Sequence, residues 1–559
     1  MHGTHTPDAN WEREESVEFV VGFETERRSQ RAFAAAHDVP RTTLQYWLER
    51  KRRLEVSGLS PAVIAFFETP DGLAFLHRLV LAVQFVVTLL IGAGCRPAAE
   101  IIRLAGLEPF VANSVFSRHQ TGVEMLEQLR EFEHAQRPKL VEQMTPQRIS
   151  VVEDETFHPQ ICLVGMEPVS NFILLEEYSE KRDAETWDVK MGKALADLPV
   201  RVIQSTSDEG KGLVGHVQNG LGAHHSPDVF HVQHEASKAT AIVLASQVRQ
   251  AEEGRTKAAA ETATHKQEAQ AWEEAERHDP GRPPNFEARI AEAQEAEAQA
   301  QNVLDEARER QERARRAVRG IGDAYHPVDT KTGALRSTEQ VTEELREHFD
   351  ELQAVADEAE LPERCHKGIK KARRVLAQLV NTMAFFHAEV EAQIRDHHLT
   401  PQEAKLLRES LLPAAYLERA AKKMKPADVR ASVRHVAERR RAAAQESLNA
   451  LYADSPERRA ILERLADTCA VLFQRASSCV EGRNGQLSLR HHSLHSLSPA
   501  RLEALTIVHN YYVRRSDGTT AAERFFGGMH DDLFEWLVAH LDAPARPAKK
   551  RGLHAQLLN

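Results

Sequence analysis

The spacing of apolar residues changes several times along this chain, and each change marks a different kind of segment. Residues 29–53, SQRAFAAAHDVPRTTLQYWLERKRR, place apolar side chains at three- and four-residue intervals on both sides of a turn at 37–40, the spacing of two short amphipathic helices. Phe33, Val39, Leu44 and Trp47 or Leu48 fall where a helix-turn-helix unit packs. That leaves Arg41, Thr42, Thr43, Gln45 and Tyr46 to face a DNA major groove, and a basic exit at 50–53 to meet phosphates. The nearly apolar run at 79–94, interrupted by Gln84 and Thr88, is shorter than the roughly 20 residues that span a bilayer and predicts a buried helix. After it, CRPAAEIIRLAGLEPFVANSVFSRHQTGVEML predicts a helix from Pro97, a turn at 105–107 and a longer helix. The longer helix carries Ser114, Ser117, Arg118 and His119, a second helix-turn-helix-like unit with Arg118 as a further DNA contact.

Past Pro146 the text turns to short β-branched and apolar runs. RISVVEDETF, ICLVGMEP and NFILLEEY predict a three-strand meander, DAETWDVKMGKAL a helix, and VRVIQSTSD a fourth strand. A helical stretch at 213–221 and a last strand, DVFHVQHE, complete the order βββαβαβ. Beyond residue 236 strand character vanishes. Ala, Glu, Gln and Arg run to about 278 and resume from 286 to 319, an antiparallel helical hairpin turned at HDPGRPPN. A loop, GIGDAYHPVDTKTGALRS, leads to further amphipathic helices through 450. Basic clusters at 367–374, 422–425 and 439–441 read singly as solvated faces and together could track a DNA backbone.

The segments add up to an α+β multidomain protein. Residues 1–60 form a helix-turn-helix domain, 61–145 a second helical domain of that kind, and 146–245 the first part of a strand-rich core. Residues 246–467 form an all-helical insertion with its coiled-coil hairpin at about 246–320, 468–530 the closing helices of the core, and 531–559 a C-terminal helix and a basic tail, RPAKKRGLH. A length of 559 residues agrees with several cores. The five cysteines, Cys95, Cys162, Cys365, Cys469 and Cys479, form no CxxC pair, so neither a disulfide framework nor a zinc ribbon is encoded and a reducing, cytoplasmic setting is expected. The first residues lack the basic-then-apolar order of a secretory signal, and no membrane partner is expected. The net charge of −11 averages over domains and does not exclude DNA binding by local basic faces.

Candidate chemistry rests on carboxylates. Asp154 ends the first predicted strand, and because strand side chains alternate, its neighbours Glu153 and Glu155 point the other way. Asp208 ends the fourth strand, in VIQSTSDEGKG, which the βββαβαβ order lays beside the first. Two carboxylates brought that close repel unless divalent cations neutralise them, and hard oxygen donors suit Mg²⁺ or Mn²⁺. Glu481, in RASSCVEGRNGQLSLRHH, shares a helix face with Asn484 and Ser488 and would close the site, with Asp228 and Glu235 as rivals for the third position. Gly482 and Gly485 weaken that helix but would let a DNA backbone approach. His231 and His234 lack a third soft ligand nearby, so zinc is not expected.

These residues resemble the bacterial insertion-sequence transposases of the DDE superfamily, whose pattern is Asp on strand one, Asp after strand four and Glu on a later helix. DETFHP and SDEGKG fit the first two positions, SSCVEGRNGQLSLRHH is similar to the motif around the catalytic Glu, and RSDGTTAAERFFG to the tail motif that often follows it. The resemblance implies an RNase H-like catalytic domain interrupted by a helical insertion. It further implies two Mg²⁺ or Mn²⁺ ions, Asp154 bridging both while Asp208 and Glu481 each hold one, with cleavage at transposon ends followed by strand transfer into target DNA. Arg483 and Asn484 would then contact DNA, the partners would be double-stranded transposon ends and target on a homodimer or higher oligomer, and the location would be cytoplasmic, with the nucleoid. An RNase H-like nuclease or resolvase that never joins DNA, and a non-enzymatic DNA-binding scaffold or regulator, including a domesticated transposase, remain as alternatives.

Overall fold

The computed structural model describes residues 13–56, 58–157, 160–275, 284–452, 455–494 and 496–547. The turn expected at 278–285 and the basic tail therefore lie largely outside the described residues. The chain is mostly helical, with one mixed five-stranded sheet.

The described residues open with three helices, α1 (Arg13–Thr25), α2 (Gln30–Ala36) and α3 (Arg41–Val56). Ser29 caps α2 by accepting from the Ala32 backbone N–H, and the α2–α3 turn contains Asp38 in the left-handed region at φ 52°. Phe33, Val39, Leu44 and Trp47 form its core with Val20 of α1, as the spacing predicts. Next come α4 (Pro61–Phe66), α5 (Pro70–Phe85), which continues as a wider turn over Val86–Ile91, α6 (Cys95–Leu104) and α7 (Val115–Gln143).

Two expectations change here. The apolar run belongs to a longer helical stretch, Pro70–Ile91, which among the described residues is long and apolar enough by composition to cross a membrane. Half of its most apolar window is buried inside the fold, where Leu76 and Val80 join one core and Leu81 and Phe85 another. The second helix-turn-helix unit turns at Ala105–Leu107 as expected, with Gly106 in the left-handed region at φ 71°, but the longer helix does not follow at once. Its connection extends from Ala105 to Ser114, with Phe110 and Val111 fully buried in it, and Ser114 caps α7.

The sheet comprises β1 (Gln147–Phe157), β2 (Ile161–Glu167), β3 (Phe172–Ser179), β4 (Val200–Ser207) and β5 (His224–Pro227), in the order β3-β2-β1-β4-β5. The first three form an antiparallel meander, and β4 and β5 add in parallel through crossovers containing α8 (Ala184–Leu195) and α9 (Lys211–Gly215). The last strand comes earlier than expected. DVFHVQHE is the start of a helix, α10 (Val229–Glu273), because the Asp228 side chain accepts from the Phe230 backbone N–H and caps it. The short polar segment His224–Pro227 takes the strand position instead, held by the β4 ladder.

Helix α10 pairs with α11 (Phe286–Ala324) as the expected hairpin, and Ala236, Leu244, Leu304, Ala307 and Ala314 are buried on it. The loop after it is shorter than the text suggested, since α11 runs on to Ala324. Among the described residues, seven α-helices complete this body, α12 (Thr338–Glu358), α13 (Glu363–Arg373), α14 (Leu376–Asp396), α15 (Pro401–Leu406), α16 (Leu412–Lys423), α17 (Ala427–Tyr452) and α18 (Pro456–Val471), with a wider turn over Leu407–Leu411 joining α15 to α16. It abuts the sheet at β5, where Thr382 of α14 meets His224 Nε2 at 3.0 Å and Phe385 stacks on the His224 ring.

The chain then returns to the sheet as α19 (Ser478–Leu494), α20 (Pro499–Tyr511), α21 (Ala521–Phe526) and α22 (Leu533–His540). Asn510 of α20 donates to the Ile173 carbonyl at 3.0 Å and accepts from the Ile173 N–H at 2.9 Å. This gives edge strand β3 one rung of the partner it lacks.

Candidate carboxylate site

The parallel register of β1 and β4 pairs Val152 with Thr206. Carried two residues further, it sets Asp154 beside Asp208. Alternation along β1 separates the acidic triplet by face. Glu153 is fully buried towards α8 and α9, accepting from Ser205 Oγ at 2.5 Å and facing His216 Nε2 at 3.2 Å, while His216 Nδ1 meets Asp188. Burial opposes protonation of His216, but the two carboxylates outweigh it and hold its pKa above the usual histidine value. Glu155 is taken by Arg182 and by Trp187 Nε1. Asp154 alone turns to the other face, where Asn484 Nδ2 of α19 donates to its Oδ2 at 2.8 Å.

Helix α19 lies across β1 and β2. Val480 and Leu487 are buried beneath it, and Arg483 reaches Glu176 of β3 with two parallel hydrogen bonds of 2.7 and 2.6 Å. Both partners of that ion pair are buried, and Thr506 Oγ1 donates to the same carboxylate. With this anchor fixed, Glu481 and Asn484 come over the end of β1. Opposite them stand Asp228 at the cap of α10 and His231 in its first turn. Ligand atoms of Asp228, His231 and Glu481 all lie within 4.8 Å of one another, and His231 Nε2 is 4.0 Å from Glu481 Oε1.

The electrostatics carry the mark of crowded carboxylates. Burial raises the Asp154 pKa to about 6; the charges of Asp208 and Glu481 push the same way, against the Glu155 N–H and His231. Burial and Asp228 raise Glu481 above the usual carboxylate range, against His231 and Lys425. The donor set is hard oxygen plus one imidazole, and the buried Asn484 Oδ1 beside it has no hydrogen-bond partner among the described residues. Such a set fits Mg²⁺ or Mn²⁺.

Asp154, Asp208 and Glu481 thus stand at one end of the sheet, near enough for Asp208 and Glu481 to act on the charge of Asp154, but among the described residues the ligand atoms that gather within 4.8 Å are those of Asp228, His231 and Glu481, so Asp228 adds to Glu481 and does not replace it. Asp228 is held fast, since Ser477 donates to it through both its backbone N–H and its hydroxyl. Glu235 does not join, because Lys371 engages it at 2.7 Å. The sequence reading missed His231 as a member. Only with a helix beginning at residue 229 do Asp228 and His231 share one turn, and the apolar text DVFHV concealed that start.

Several expected DNA contacts are corrected. Arg483 is a buried structural ion pair. Arg118 is 2% exposed and donates to the Ala112 carbonyl. Asn484 is spent on Asp154. The Tyr46 hydroxyl donates to the Pro547 carbonyl, Gln45 contacts Gln30 at 3.4 Å, and in the basic exit Arg50 and Lys51 pair with Glu68 and Glu24. Arg41 and Thr42 are exposed and Thr43 half-buried, leaving the start of α3 open to solvent.

A pH dependence follows from Asp154. Its proton is held more tightly in the folded protein than in the unfolded chain. Its contribution to stability is therefore full below the usual carboxylate range and is lost as pH rises through about 6. In chelator, the melting temperature of an Asp154→Asn variant is expected to rise relative to the parent between about pH 4 and about pH 7, and added Mg²⁺ to raise the parent alone. Parallel profiles by scanning calorimetry would show that Asp154 carries no such strain.

A family model described as a family of unknown function (DUF6399) matches residues 407–553, a stretch that holds Glu481 and Asn484 but neither aspartate of β1 and β4. No curated protein and no solved structure matches the chain.

Proposed function

We propose that the chain is a DNA transposase of the Asp-Asp-Glu type, with an RNase H-like catalytic core and a helical body inserted before its last ligand-bearing helix. One observation supports this reading above the rest: the β1–β4 register sets Asp208, just past β4, level with Asp154 of β1, and Asp208 together with Glu481 of α19, far away in sequence, acts on the charge of Asp154 at one end of the sheet. The strand order β3-β2-β1-β4-β5 is the one that the expected βββαβαβ core requires.

Asp154, Asp208 and Glu481 would hold two divalent ions, with Asp228 and His231 at the margin; Mn²⁺ accepts an imidazole more readily than Mg²⁺ does. When bound, such ions lower the pKa of an attacking water and stabilise a leaving 3′ oxygen. The protein's own part is positional. Asn484 fixes the Asp154 carboxylate, the Arg483–Glu176 pair fixes α19, and the Asp228 cap fixes the start of α10. Gly482 and Gly485 flank Glu481 and Asn484, and a Cβ at either would meet nothing within 4 Å. A smooth approach for a DNA backbone is therefore open beside the carboxylates.

The test is incubation of the full-length protein with supercoiled DNA carrying the sequences that flank its own coding region. Nicks with 3′-OH ends in Mg²⁺ or Mn²⁺, none in chelator, and joining to a second plasmid are expected. Nicking without joining would favour a nuclease or resolvase, and binding without metal-dependent nicking a DNA-binding scaffold.

A further inference from the structure

A second concentration of charge lies at the opposite end of β1. A cleft of about 730 Å³ opens between the start of β1, the β2–β3 turn, α16 and the segment around α21. Six cationic residues line it, Arg148, Arg419, Lys422, Lys423, Arg515 and Arg524, against two acids, Glu167 and Asp467. In a chain of net charge −11 this is a local reversal of sign. Neutralisation inside the cleft is incomplete. Glu167 accepts from the Val169 and Ser170 backbone N–H groups, and among the described residues only Arg148 of these cations forms an ion pair, with Glu389 outside the cleft, while Asp467 and Glu167 act on Arg419 without pairing with it. Arg515 and Arg524 donate to carbonyls of residues 169, 170 and 519. Among the described residues, no hydrogen bond or ion pair engages Arg419, Lys422 or Lys423.

The cleft leads towards the carboxylates. Arg419 and Lys423 also line a smaller cavity of about 260 Å³, which is bounded by Val229 and Phe230 at the start of α10 and by Ser478 at the start of α19. Those two helix starts carry His231 and Glu481, and the charge of Lys425 is felt at Glu481. From Arg148 to Asp154 is six residues of extended strand, roughly 20 Å. Two segments singled out by sequence, the basic cluster at 422–425 and the tail motif RSDGTTAAERFFG, thus meet in one place although about a hundred residues separate them, and both lie in the stretch matched by the family of unknown function.

We propose that this cleft is a phosphate-backbone track for the DNA that enters or leaves the carboxylate site. The inference rests on the reading of DNA as substrate. Its chemistry is that of unpaired cations at the wall of a cleft, which bind backbone phosphates with displacement of counterions and without reading bases.

The experiment compares the full-length parent with a triple variant, Lys422→Gln, Lys423→Gln and Arg515→Gln, all three positions being exposed. Binding of a fluorescent duplex of arbitrary sequence is followed by anisotropy over a range of KCl. Weakening of about tenfold or more near 0.1 M salt is expected, with a slope of log K on log salt shallower by about 2.7, roughly 0.9 for each lost contact. Lys422→Arg with Lys423→Arg is expected to keep the parental slope. Lys422→Glu alone, at an exposed position, gives the same direction should the triple variant melt early. An unchanged slope overturns the proposal, as does a loss confined to RNA or to an acidic polypeptide offered in place of the duplex. A shallower slope in a protein that never cleaves DNA keeps the track and removes the catalytic reading; cleavage with an unchanged slope does the reverse.

Discussion

Asp154→Asn is expected to abolish metal-dependent strand cleavage, by about 10³-fold or more, while DNA affinity stays within about twofold of the parent. The magnitude follows from losing a charged oxygen donor at the centre of the cluster. Several kcal/mol of transition-state stabilisation is at stake, and about 4 kcal/mol corresponds to roughly 10³ in rate. The substitution is nearly isosteric: the amide oxygen can keep the Glu155 N–H, and the amide NH2 can donate to Asn484 Oδ1 once the Asn484 amide flips, so β1 keeps its position. Rate is read by quantifying nicked plasmid and affinity by titration of the same DNA. Glu235→Gln is the matched control. Its carboxylate is engaged by Lys371 away from the cluster, and cleavage is expected to be unaffected. Full cleavage by Asp154→Asn would remove the proposed chemistry, and a large loss of binding would recast Asp154 as structural.

The second large effect concerns Arg483. Truncation to alanine leaves the Glu176 carboxylate buried without its partner, and breaking such a pair costs about 3–5 kcal/mol. For a core of this size that is a fall of the order of 10 °C in the midpoint of the transition that carries the sheet. Because Arg483 is the anchor of α19, Mn²⁺ affinity measured by calorimetry is expected to fall with it. Glu176→Gln with Arg483→Met, which removes both charges, is expected to recover much of the stability. Had Arg483 been a DNA contact, as its place beside Asn484 suggested, the alanine variant would lose DNA affinity at unchanged stability. Melting and binding curves on one preparation separate the two accounts.

These two residues show how far the text could be read. Asp154 was legible because two local signals coincided: alternation that leaves one member of an acidic triplet alone on its face, and a later strand that ends just before Asp208; the expected end of the first strand at Asp154 was not met, since β1 runs on beside β2 to Phe157. The helix-turn-helix core was legible for the same reason, since Phe33, Leu44 and Trp47 declare a helical face within a few residues. Glu481 could be proposed from its motif, but its approach to Asp154 depends on a body of helices between residues 229 and 471 that returns the chain to the sheet. His231 was not legible. Its role depends on where α10 starts, and the start is fixed by an Asp228 side chain that also receives Ser477 from far along the chain. The last strand was misplaced for the same reason: β-branched residues at 228–235 favour a strand locally, while the cap and the packing of α10 favour a helix.

By itself, then, the sequence determined most of the elements, the placing of the first four strands and the acidic groups available at the end of the sheet, because periodicity and side-chain chemistry are local properties. Tertiary structure alone decided which acids meet, which arginines are walled in and which line an open cleft. Arg118, Arg483 and Arg515 are written with the same letter. Whether a guanidinium serves the fold or a phosphate depends on whether packing buries it or leaves it facing solvent, and distant segments settle that only when the chain folds.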